Sequence, residues 1–540
     1  MTLQQKESKW RIALCLFAAY ALFACSDDKD VPNIDDEEPP VTEISVPTPN
    51  PYLAAEHYSI THFNSAQTDA FPYAVKSGTY PINPDECDGI WSGPVNLMTL
   101  SSTDPDYMWG MCSDRVSYIR IADGGFKRVA EAALPNGIQM NSEEDLKKLV
   151  NTQYTSTELL YADATEILGR YPQMAMSNGN YVLCDKDNYA YTNARTVICR
   201  YKLKEAGNPA AGIILDKQID MSPYMENPQT LVGMVMTYDG YLVVAAGNGI
   251  AIIDREFSKT PVVKLLPDDQ VITNSASVDD RNGIYIASNS RTPGGKGIMH
   301  KYIWKDGKLS EDENDGAWTA HYDGGPEAPA IKMGYGTGST PTLMGFGDDE
   351  DKLVVITDGS KRMKLVAFWR DEIPEDVVSV DAGNPRIAGQ QEISCGLPAS
   401  TEWIQSEQSV VVSGYGAFVV NNVIPNTVAD KIVAVLSIGP LVTPPYGVER
   451  VQWDTARRKL DQHDTFRKLD IQYGIRKRLY NSRRLGSKRL GLGYGRHYPP
   501  GGLRTGQPWK RRLRHHPILR KRGFVIQLRG RSFPREIITG

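Results

Sequence analysis

The stretch TLVGMVMTYDGYLVVAAGNGIAII, residues 230–253, decides the fold. It holds three runs rich in β-branched and apolar residues, separated by the dipeptides Asp239-Gly240 and Asn248-Gly249. The central positions of a two-residue hairpin turn need positive φ, which Asn, Asp and Gly tolerate, so these dipeptides mark hairpins. The stretch therefore predicts three antiparallel strands in a row.

The same pattern recurs along the chain. Second strands are expected to begin near residues 107, 181, 241, 284, 353 and 410. The spacing indicates a unit of about 45 residues with insertions in its loops, and repeated four-stranded meanders of this length are typical of a β-propeller. We expect an all-β fold, with the propeller over residues 53–460. A β-sandwich or two tandem all-β domains is the alternative.

One insertion has the pattern of a helix. Ser142 is followed by acidic residues at 143–145 and by apolar residues at 146, 149 and 150. A serine N-cap followed three residues later by an acidic side chain resembles a capping box, and the apolar spacing places one face on the protein. We predict a short surface helix here.

One blade carries a family resemblance. The segments GSTPTL (338–343), LVVI (353–356), DG (358–359) and LVAF (365–368) resemble blades of the quinoprotein alcohol-dehydrogenase-like β-propellers. The resemblance covers residues 90–460 and implies seven or eight blades around a polar channel, with the last blade or blades incomplete here. Quinoprotein dehydrogenases carry adjacent cysteines over their cofactor. This chain has no adjacent cysteines, so no cofactor is expected.

The N-terminal segment predicts the location. Three basic residues precede an apolar run over residues 12–24, which is too short for a membrane span of about 20 residues. The run ends in Leu22-Phe23-Ala24-Cys25, which resembles the lipobox of bacterial lipoproteins. The resemblance implies a signal peptide over residues 1–24 and acylation of Cys25, which anchors the chain in a membrane. A plain cleaved signal, with Cys25 a bystander, is the alternative.

The residues after Cys25 form an acidic segment. SDDKD (26–30) resembles the tag of surface-exposed lipoproteins of Bacteroides-type bacteria, and prolines continue to residue 51. Such a composition buries too little apolar surface to fold, so we expect residues 25–52 to be a tether. The expected location is the outer membrane, lipid-anchored and exposed at the cell surface.

The charge of the chain is divided unevenly. Residues 451–540 hold 24 lysines and arginines and five acidic residues, whereas residues 1–450 hold 36 and 60. A basic tail for nucleic acid or an anionic surface is one interpretation. We favour a change of reading frame, because an inner strand at 448–453 is followed by a turn and the strand pattern then stops without a linker. Residues 461–540 are accordingly predicted to be irregular, and no nucleic-acid partner is expected.

Three kinds of residue bear on chemistry. Cys184 and Cys199 end two apolar runs and are the predicted disulfide of an oxidising compartment. His300 and His321 flank an insertion and are the acid–base candidates of the alternative function, an envelope enzyme acting on polysaccharide. The acidic runs at 311–315 and 348–351 are expected to be solvated turns rather than calcium sites. No convergent catalytic set or metal site is predicted.

Aromatic rings on expected loops suggest binding instead. Such rings stack on sugar faces, although large aromatics on strands more often pack in the core. The candidate ligand-binding residues are Trp109, Trp318, Tyr322, Tyr335 and Tyr415. The leading hypothesis is a non-enzymatic, membrane-anchored propeller that binds a ligand or partner, with a glycan or an envelope protein as the expected class.

Overall fold

The structure is a computed structural model. It describes residues 45–55, 67–70, 90–92, 98–168, 179, 181–225, 231–326, 336–423, 441, 445, 447–466, 523–525 and 537–539. The predicted signal peptide and Cys25 lie outside the described residues, as does Tyr335.

The described part of the chain is mostly β-structure. Within it, six antiparallel meanders follow one another, each with four strand positions. Sheets 1 to 3 comprise β1 (Met98–Ser101), β2 (Tyr107–Met111), β3 (Arg115–Arg120) and β4 (Lys127–Ala133); β5 (Leu183–Cys184), β6 (Ala190–Ala194), β7 (Val197–Glu205) and β8 (Asn208–Asp220); and β9 (Leu231–Met236), β10 (Tyr241–Ala246), β11 (Gly249–Asp254) and β12 (Val262–Leu265).

In sheet 4, the first strand position holds two short strands that both pair with the second strand, and the fourth position holds two strands that both pair with the third. Sheets 4 to 6 comprise β13 (Gln270–Ile272) with β14 (Ser277–Val278), β15 (Gly283–Ser290), β16 (Lys296–Lys305) and β17 (Lys308–Ser310) with β18 (Trp318–Asp323); β19 (Thr342–Met344), β20 (Leu353–Thr357), β21 (Lys364–Trp369) and β22 (Ile387–Glu392); and β23 (Val411–Ser413), β24 (Gly416–Val420), β25 (Val448–Asp454) and β26 (Lys459–Phe466).

Sheet 3 is the stretch from which the fold was predicted. β10 pairs with β9 and β11, with Leu242 opposite Met236 and Ala246 opposite Gly249. Gly240 has a φ of 88°, the left-handed conformation that its place in the turn requires. The predicted three-stranded meander is confirmed, and β12 adds the fourth strand.

Consecutive sheets pack face to face. Alternate residues of a strand point to opposite faces, so Val243 packs toward sheet 4 and Val244 toward sheet 2. The remaining interfaces have the same character, with Trp109 and Tyr201 between sheets 1 and 2, Trp318 and Phe368 between sheets 4 and 5, and Trp369 and Trp453 between sheets 5 and 6. Successive meanders stacked in this way are arranged as the blades of a β-propeller.

Two strands that were predicted to be second strands of their sheets are first strands in the structure. The runs near 181 and 410 contain the first strands β5 and β23, and the second strands begin at Ala190 and Gly416. The error arose because these first strands are only two and three residues long. The segments around them were therefore assigned to a neighbouring position in the repeat.

The end of sheet 6 also corrects the prediction. Val448–Asp454 is the third strand rather than an inner first strand, and Lys459–Phe466 completes the sheet beyond the expected boundary at 460. The long insertion between β24 and β25 concealed their relation in the sequence. In the tail, β27 (Gly523–Val525) pairs with β28 (Ile537–Thr539).

Two helices lie between sheets 1 and 2 in the sequence. α1 (Glu143–Asn151) begins as predicted, because the Ser142 hydroxyl accepts a hydrogen bond from the Asp145 amide at 3.0 Å. α2 (Thr157–Leu168) was not predicted; Leu160 is buried, while neighbouring Leu159 is exposed. Among the described residues, no helix has the length and apolar character needed to cross a membrane.

The segment 45–54, here called the strap, crosses the turns between first and second strands. The Ser45 hydroxyl donates to Asp349 in sheet 5 at 2.7 Å, and the Asn50 side-chain amide donates to the Met236 carbonyl in sheet 3 at 2.8 Å. The Ala54 amide donates to the Cys184 carbonyl in sheet 2 at 2.9 Å. The predicted tether boundary at residue 52 is therefore too late, since the chain already packs on the sheets from Ser45.

The predicted disulfide between Cys184 and Cys199 is wrong. β6 lies between the strands that carry them, with Cys184 opposite Ala190 and Cys199 opposite Thr192. Cys112, Cys184, Cys199 and Cys395 are all buried free thiols. Cys87 lies outside the described residues.

Candidate functional site

Four sheets contribute to one polar group of side chains. Tyr181, Asn274, Thr340 and Ser409 each come two or three residues before a first strand, in sheets 2, 4, 5 and 6 respectively. We call these four residues the first-strand cluster. Asn274 reaches this position because the first strand of sheet 4 is interrupted between β13 and β14.

Asn274 is the centre of the cluster. Its Oδ1 accepts hydrogen bonds from the Thr340 hydroxyl at 2.8 Å and from the Tyr181 hydroxyl. Its Nδ2 donates to the Gly338 carbonyl at 2.6 Å, and the Thr340 amide donates to the Ser409 hydroxyl at 3.1 Å. An amide whose oxygen and nitrogen bond to different segments fixes the relative positions of the segments that it joins.

The cluster retains unused hydrogen-bonding capacity at its border. Ser275 Oγ, Gln405 Oε1 and Asn422 Nδ2 are buried and have no hydrogen-bond partner within the described part of the chain. Buried polar atoms are normally satisfied by protein or by water. These atoms are therefore candidate partners for ordered water inside the protein.

The cluster defines one end of the sheets. In an antiparallel meander, the start of the first strand lies at the same end as the turn between the second and third strands. We call this end the cluster face; the strap crosses the opposite ends of the same first strands. Glu407 and Gln408 are half-buried on the segment that leads to Ser409, and Tyr181 is also half-buried.

His300 forms a buried pair with Ser288. Its Nε2 lies 3.0 Å from Ser288 Oγ, and its Nδ1 lies 3.3 Å from the Tyr302 hydroxyl. Ser288 donates to Gln270 Oε1 at 2.8 Å, so the imidazole donates to the serine and accepts from the tyrosine. Burial lowers the pKa of His300 to about 4, and the charges of Lys264 and His321 contribute.

That arrangement does not match an activated nucleophile. In a nucleophile–base pair the serine donates its proton to the imidazole, whereas here the proton points to Gln270. Ser288 is 0% exposed and His300 6% exposed. His321 lies on the same sheet but is exposed, with its carbonyl accepting a hydrogen bond from the Asn384 side chain at 2.6 Å.

Three predicted ligand-binding aromatics lie in the core. Trp109, Trp318 and Tyr322 are at most 6% exposed. The indole of Trp109 donates to Asn188 Oδ1 at 3.0 Å, and that of Trp318 donates to the Arg370 carbonyl at 3.1 Å. A ring covered on both faces by neighbouring sheets presents no face to a sugar.

Tyr415 lies in the turn between β23 and β24 and is half-buried. Its hydroxyl donates to the Asp351 carbonyl at 2.8 Å and accepts from the Asp351 amide at 3.1 Å. Burial raises the pKa of Tyr415 to about 12. The residue is thus fixed at the strap end of sheet 6, away from the first-strand cluster.

One residue from each acidic run, Asp351 and Asp315, has a structural role. Asp351 is 1% exposed and accepts a hydrogen bond from the Trp453 indole at 2.8 Å, which joins sheets 5 and 6. Asp315 accepts from the Ser310 hydroxyl at 2.6 Å. Within the described ranges, no group of three His, Cys, Asp or Glu residues is placed to hold a metal ion.

Comparison with known proteins gives one curated relative. An uncharacterized protein of Archaeoglobus fulgidus is 32% identical over 249 residues, which are 44% of this chain and 46% of that protein. The chain therefore spans less than half of this relative's length. No protein-family profile matches the chain.

Solved structures give only distant likenesses. A europium-containing methanol dehydrogenase has a TM-score of 0.34 at 9% identity, with 69% of this chain and 70% of that chain covered. A streptogramin B lyase has a TM-score of 0.26 at 12% identity, with 51% and 68% covered. The tricorn protease has a TM-score of 0.32 at 11% identity, with 72% and 32% covered. At these TM-scores none of them indicates a shared activity.

Sequence reasoning missed the first-strand cluster. Its members are ordinary polar residues that lie far apart in the sequence. Thr340 bonds to Asn274 across 66 residues, and Tyr181 bonds to Asn274 across 93. The available signal was positional: in each repeat a polar residue precedes the short first strand. Aligning the repeats on their first strands would have placed these residues together.

Proposed function

We propose that the protein is a membrane-anchored surface lipoprotein whose β-propeller binds a ligand at the cluster face without transforming it. The observation that carries the proposal is the convergence of Tyr181, Asn274, Thr340 and Ser409 from four sheets. Hydroxyl and amide groups held by a rigid scaffold suit a neutral, hydroxyl-rich ligand. A glycan is therefore the favoured class, and an envelope protein is the second.

The proposed anchor is the acyl-modified Cys25, with residues 1–24 removed as a signal peptide. Replacing Cys25 by Ser should release the protein from the membrane fraction and abolish its labelling by radioactive palmitate. A Cys25→Ser variant that stays membrane-bound and labelled would disprove the anchor. Protease added to intact cells should remove the protein if it is displayed at the surface.

The proposed ring has seven or eight blades, of which the described residues supply six sheets. The face of sheet 6 that turns away from sheet 5 supports further blades. Its residues Val411, Phe418, Val420, Arg450 and Gln452 are half-buried, whereas Val412, Val419 and Val451 on the other face are fully buried. Translation of the other two reading frames beyond codon 466 should give alternating strands with Asp-Gly or Asn-Gly turns.

The binding proposal is tested with a glycan array and turnover assays on every glycan that binds. Binding without cleavage or modification supports the proposal. Asn274→Ala should weaken binding at least about tenfold, because it removes the shared acceptor of the cluster. Asp280→Ala is the matched control, since Asp280 is exposed at the strap end. Turnover of a bound glycan would instead establish an enzyme.

A further inference from the structure

Two short segments from the N-terminal part of the chain contact the sheets. The first is the strap. The second comprises residues 67–70, here called the edge segment, whose Thr68 is 7% exposed. The Leu343 amide in β19 donates to the Gln67 carbonyl at 3.2 Å, and the Val412 amide in β23 donates to the Thr68 carbonyl at 2.9 Å. Adjacent carbonyls of the edge segment therefore join the first strands of sheets 5 and 6.

The edge segment binds these strands where the sheets leave an edge open. In the described part of the chain, β19 pairs with β20 and β23 pairs with β24, so each first strand has one edge without a strand partner. Leu343 and Val412 are buried, and a buried backbone amide needs an acceptor. The edge segment supplies that acceptor for both residues.

This contact lies close to the first-strand cluster. Thr340 and Ser409 each come three residues before the amides that the edge segment binds. The Thr340 amide donates to the Ser409 hydroxyl at 3.1 Å. Since a strand rises about 3.3 Å per residue, the two links are about 10 Å apart along the same two strands. The edge segment and the cluster thus hold β19 and β23 side by side at two points.

The edge segment has a constrained backbone. Gln67 and Asp69 have φ values of 59° and 56°, in the left-handed region that is uncommon for residues with a side chain. The Thr68 hydroxyl accepts a hydrogen bond from the Ala70 amide at 3.3 Å. Strained conformations persist only where the surrounding structure over-determines them. The segment is therefore a shaped turn held by its contacts.

The strap is held chiefly through Asn50, which is 4% exposed. Its Nδ2 donates to the carbonyls of Met236 at 2.8 Å and Thr237 at 3.2 Å, and its Oδ1 accepts from the Tyr52 amide at 2.9 Å. The Tyr52 carbonyl accepts from the Lys186 amide in sheet 2 at 3.0 Å. One amide side chain thus connects the strap to sheet 3 and fixes the turn that leads to sheet 2.

The two segments are neighbours in the sequence. Residues 56–66 separate the last described residue near the strap from the edge segment, and eleven residues reach at most about 40 Å. The strap bonds to sheets 2, 3 and 5, while the edge segment bonds to sheets 5 and 6. One short stretch of chain therefore connects the strap end of the molecule with the first strands that carry Thr340 and Ser409.

We propose that the strap and the edge segment form one cooperative latch, which holds β19 and β23 together and transmits movement of the strap to the first-strand cluster. Main-chain bonds from one stretch of chain to four sheets support it. The strap follows the proposed tether in the sequence, so tension on the tether would reach the strap first and the cluster through the latch. The latch is a property of the fold and does not depend on the identity of a ligand.

Hydrogen exchange, resolved to single amides by mass spectrometry, tests the latch. Asn50→Ala should speed exchange of the Ala54, Leu343 and Val412 amides at least about tenfold, because loss of buried hydrogen bonds favours local opening. Thr48→Ala is the matched control in the strap, since the Thr48 hydroxyl donates to exposed Asp280 at 3.2 Å, and it should leave these rates unchanged.

The Cys112 amide, which donates to the Arg115 carbonyl at 3.0 Å in sheet 1, reports global stability and should keep its rate in Asn50→Ala. Faster exchange of Ala54 alone would refute the coupling between the segments. An equal rise at Cys112 would show general destabilisation and would also overturn the latch. A glycan array tests the proposed function independently of these rates.

If Asn50→Ala does not fold, exchange of the wild-type protein in sub-denaturing urea gives the answer. The amides of Ala54, Leu343 and Val412 should open with one common free energy and one urea dependence, below the opening free energy of the Cys112 amide. Separate openings of the strap and the edge segment would overturn the latch. An opening shared with Cys112 would do the same, since both segments would then detach only on global unfolding.

Discussion

Asp279 is predicted to be one of the most sensitive turn residues of the protein. It begins the turn between the first and second strands of sheet 4 and is 5% exposed. Its Oδ1 accepts hydrogen bonds from the amides of Arg281 at 2.9 Å and Gly283 at 2.8 Å, and its Oδ2 accepts the Tyr285 hydroxyl at 2.6 Å. Burial keeps the pKa of Tyr285 well above its usual value, so its hydroxyl remains a neutral donor.

The expected cost of Asp279→Ala follows from these contacts. The Gly283 amide and the Tyr285 hydroxyl are buried and would lose their acceptor, whereas Arg281 is exposed and its amide can bond to water. A buried donor without a partner costs about 1–3 kcal/mol, so the substitution should lower the free energy of unfolding by about 2–6 kcal/mol. That is a large part of the ~5–15 kcal/mol that usually stabilises a domain.

The measurement is urea denaturation followed by tryptophan fluorescence and by circular dichroism. Asp280→Ala is the neighbouring control, because Asp280 is exposed and contacts the Thr48 hydroxyl only at 3.2 Å; it should change stability by no more than about 0.5 kcal/mol. Asp279→Ala combined with Tyr285→Phe should cost less than the sum of the single changes. Equal midpoints for Asp279→Ala and Asp280→Ala would refute the reasoning.

Three further predictions concern thiols, pH and the tail. Burial raises the pKa of both Cys112 and Cys199 to about 12, so these thiols should react with a maleimide only after denaturation; a native Cys184–Cys199 disulfide seen by mass spectrometry would contradict the structure. The pKa of His300 is lowered from 6.5 to about 4, so the folded state disfavours its protonation. Stability should therefore fall as the pH drops from 6.5 through 4, by up to about 3 kcal/mol, and His300→Gln should remove this part of the pH dependence; an unchanged profile would show that another group is responsible. Deleting residues 467–540 should leave the thermal midpoint unchanged, because β26 already completes sheet 6 at Phe466; a clear loss of stability would show that the tail packs on the propeller.

The local features of the fold were predictable from sequence. Asp239-Gly240 and Asn248-Gly249 identified the hairpins of sheet 3, since positive φ at a turn is a property of the turn residues themselves. Ser142 with Asp145 identified the start of α1 because both partners lie within one helical turn. Such contacts depend on a few neighbouring residues and require no knowledge of the remaining chain.

The short first strands escaped prediction. β5 and β23 have two and three residues, and their place is determined by pairing with β6 and β24 rather than by their own pattern. The same holds for sheet 6, whose second and third strands are separated by a long insertion. Pairing partners decide the position of a strand when the strand itself is too short to carry a periodic signal.

Sequence by itself determined that this chain is built from repeated antiparallel meanders with hairpin turns and a capped surface helix. Only the tertiary structure decided which polar and aromatic residues are accessible. Trp109 and Trp403 are the same residue type, yet packing between sheets 1 and 2 buries Trp109, whereas Trp403, on the segment that leads into sheet 6, is half-buried. Tyr181 and Asn274 meet across 93 residues because stacked sheets bring the starts of their first strands together, and contacts of that range leave no local pattern in the sequence.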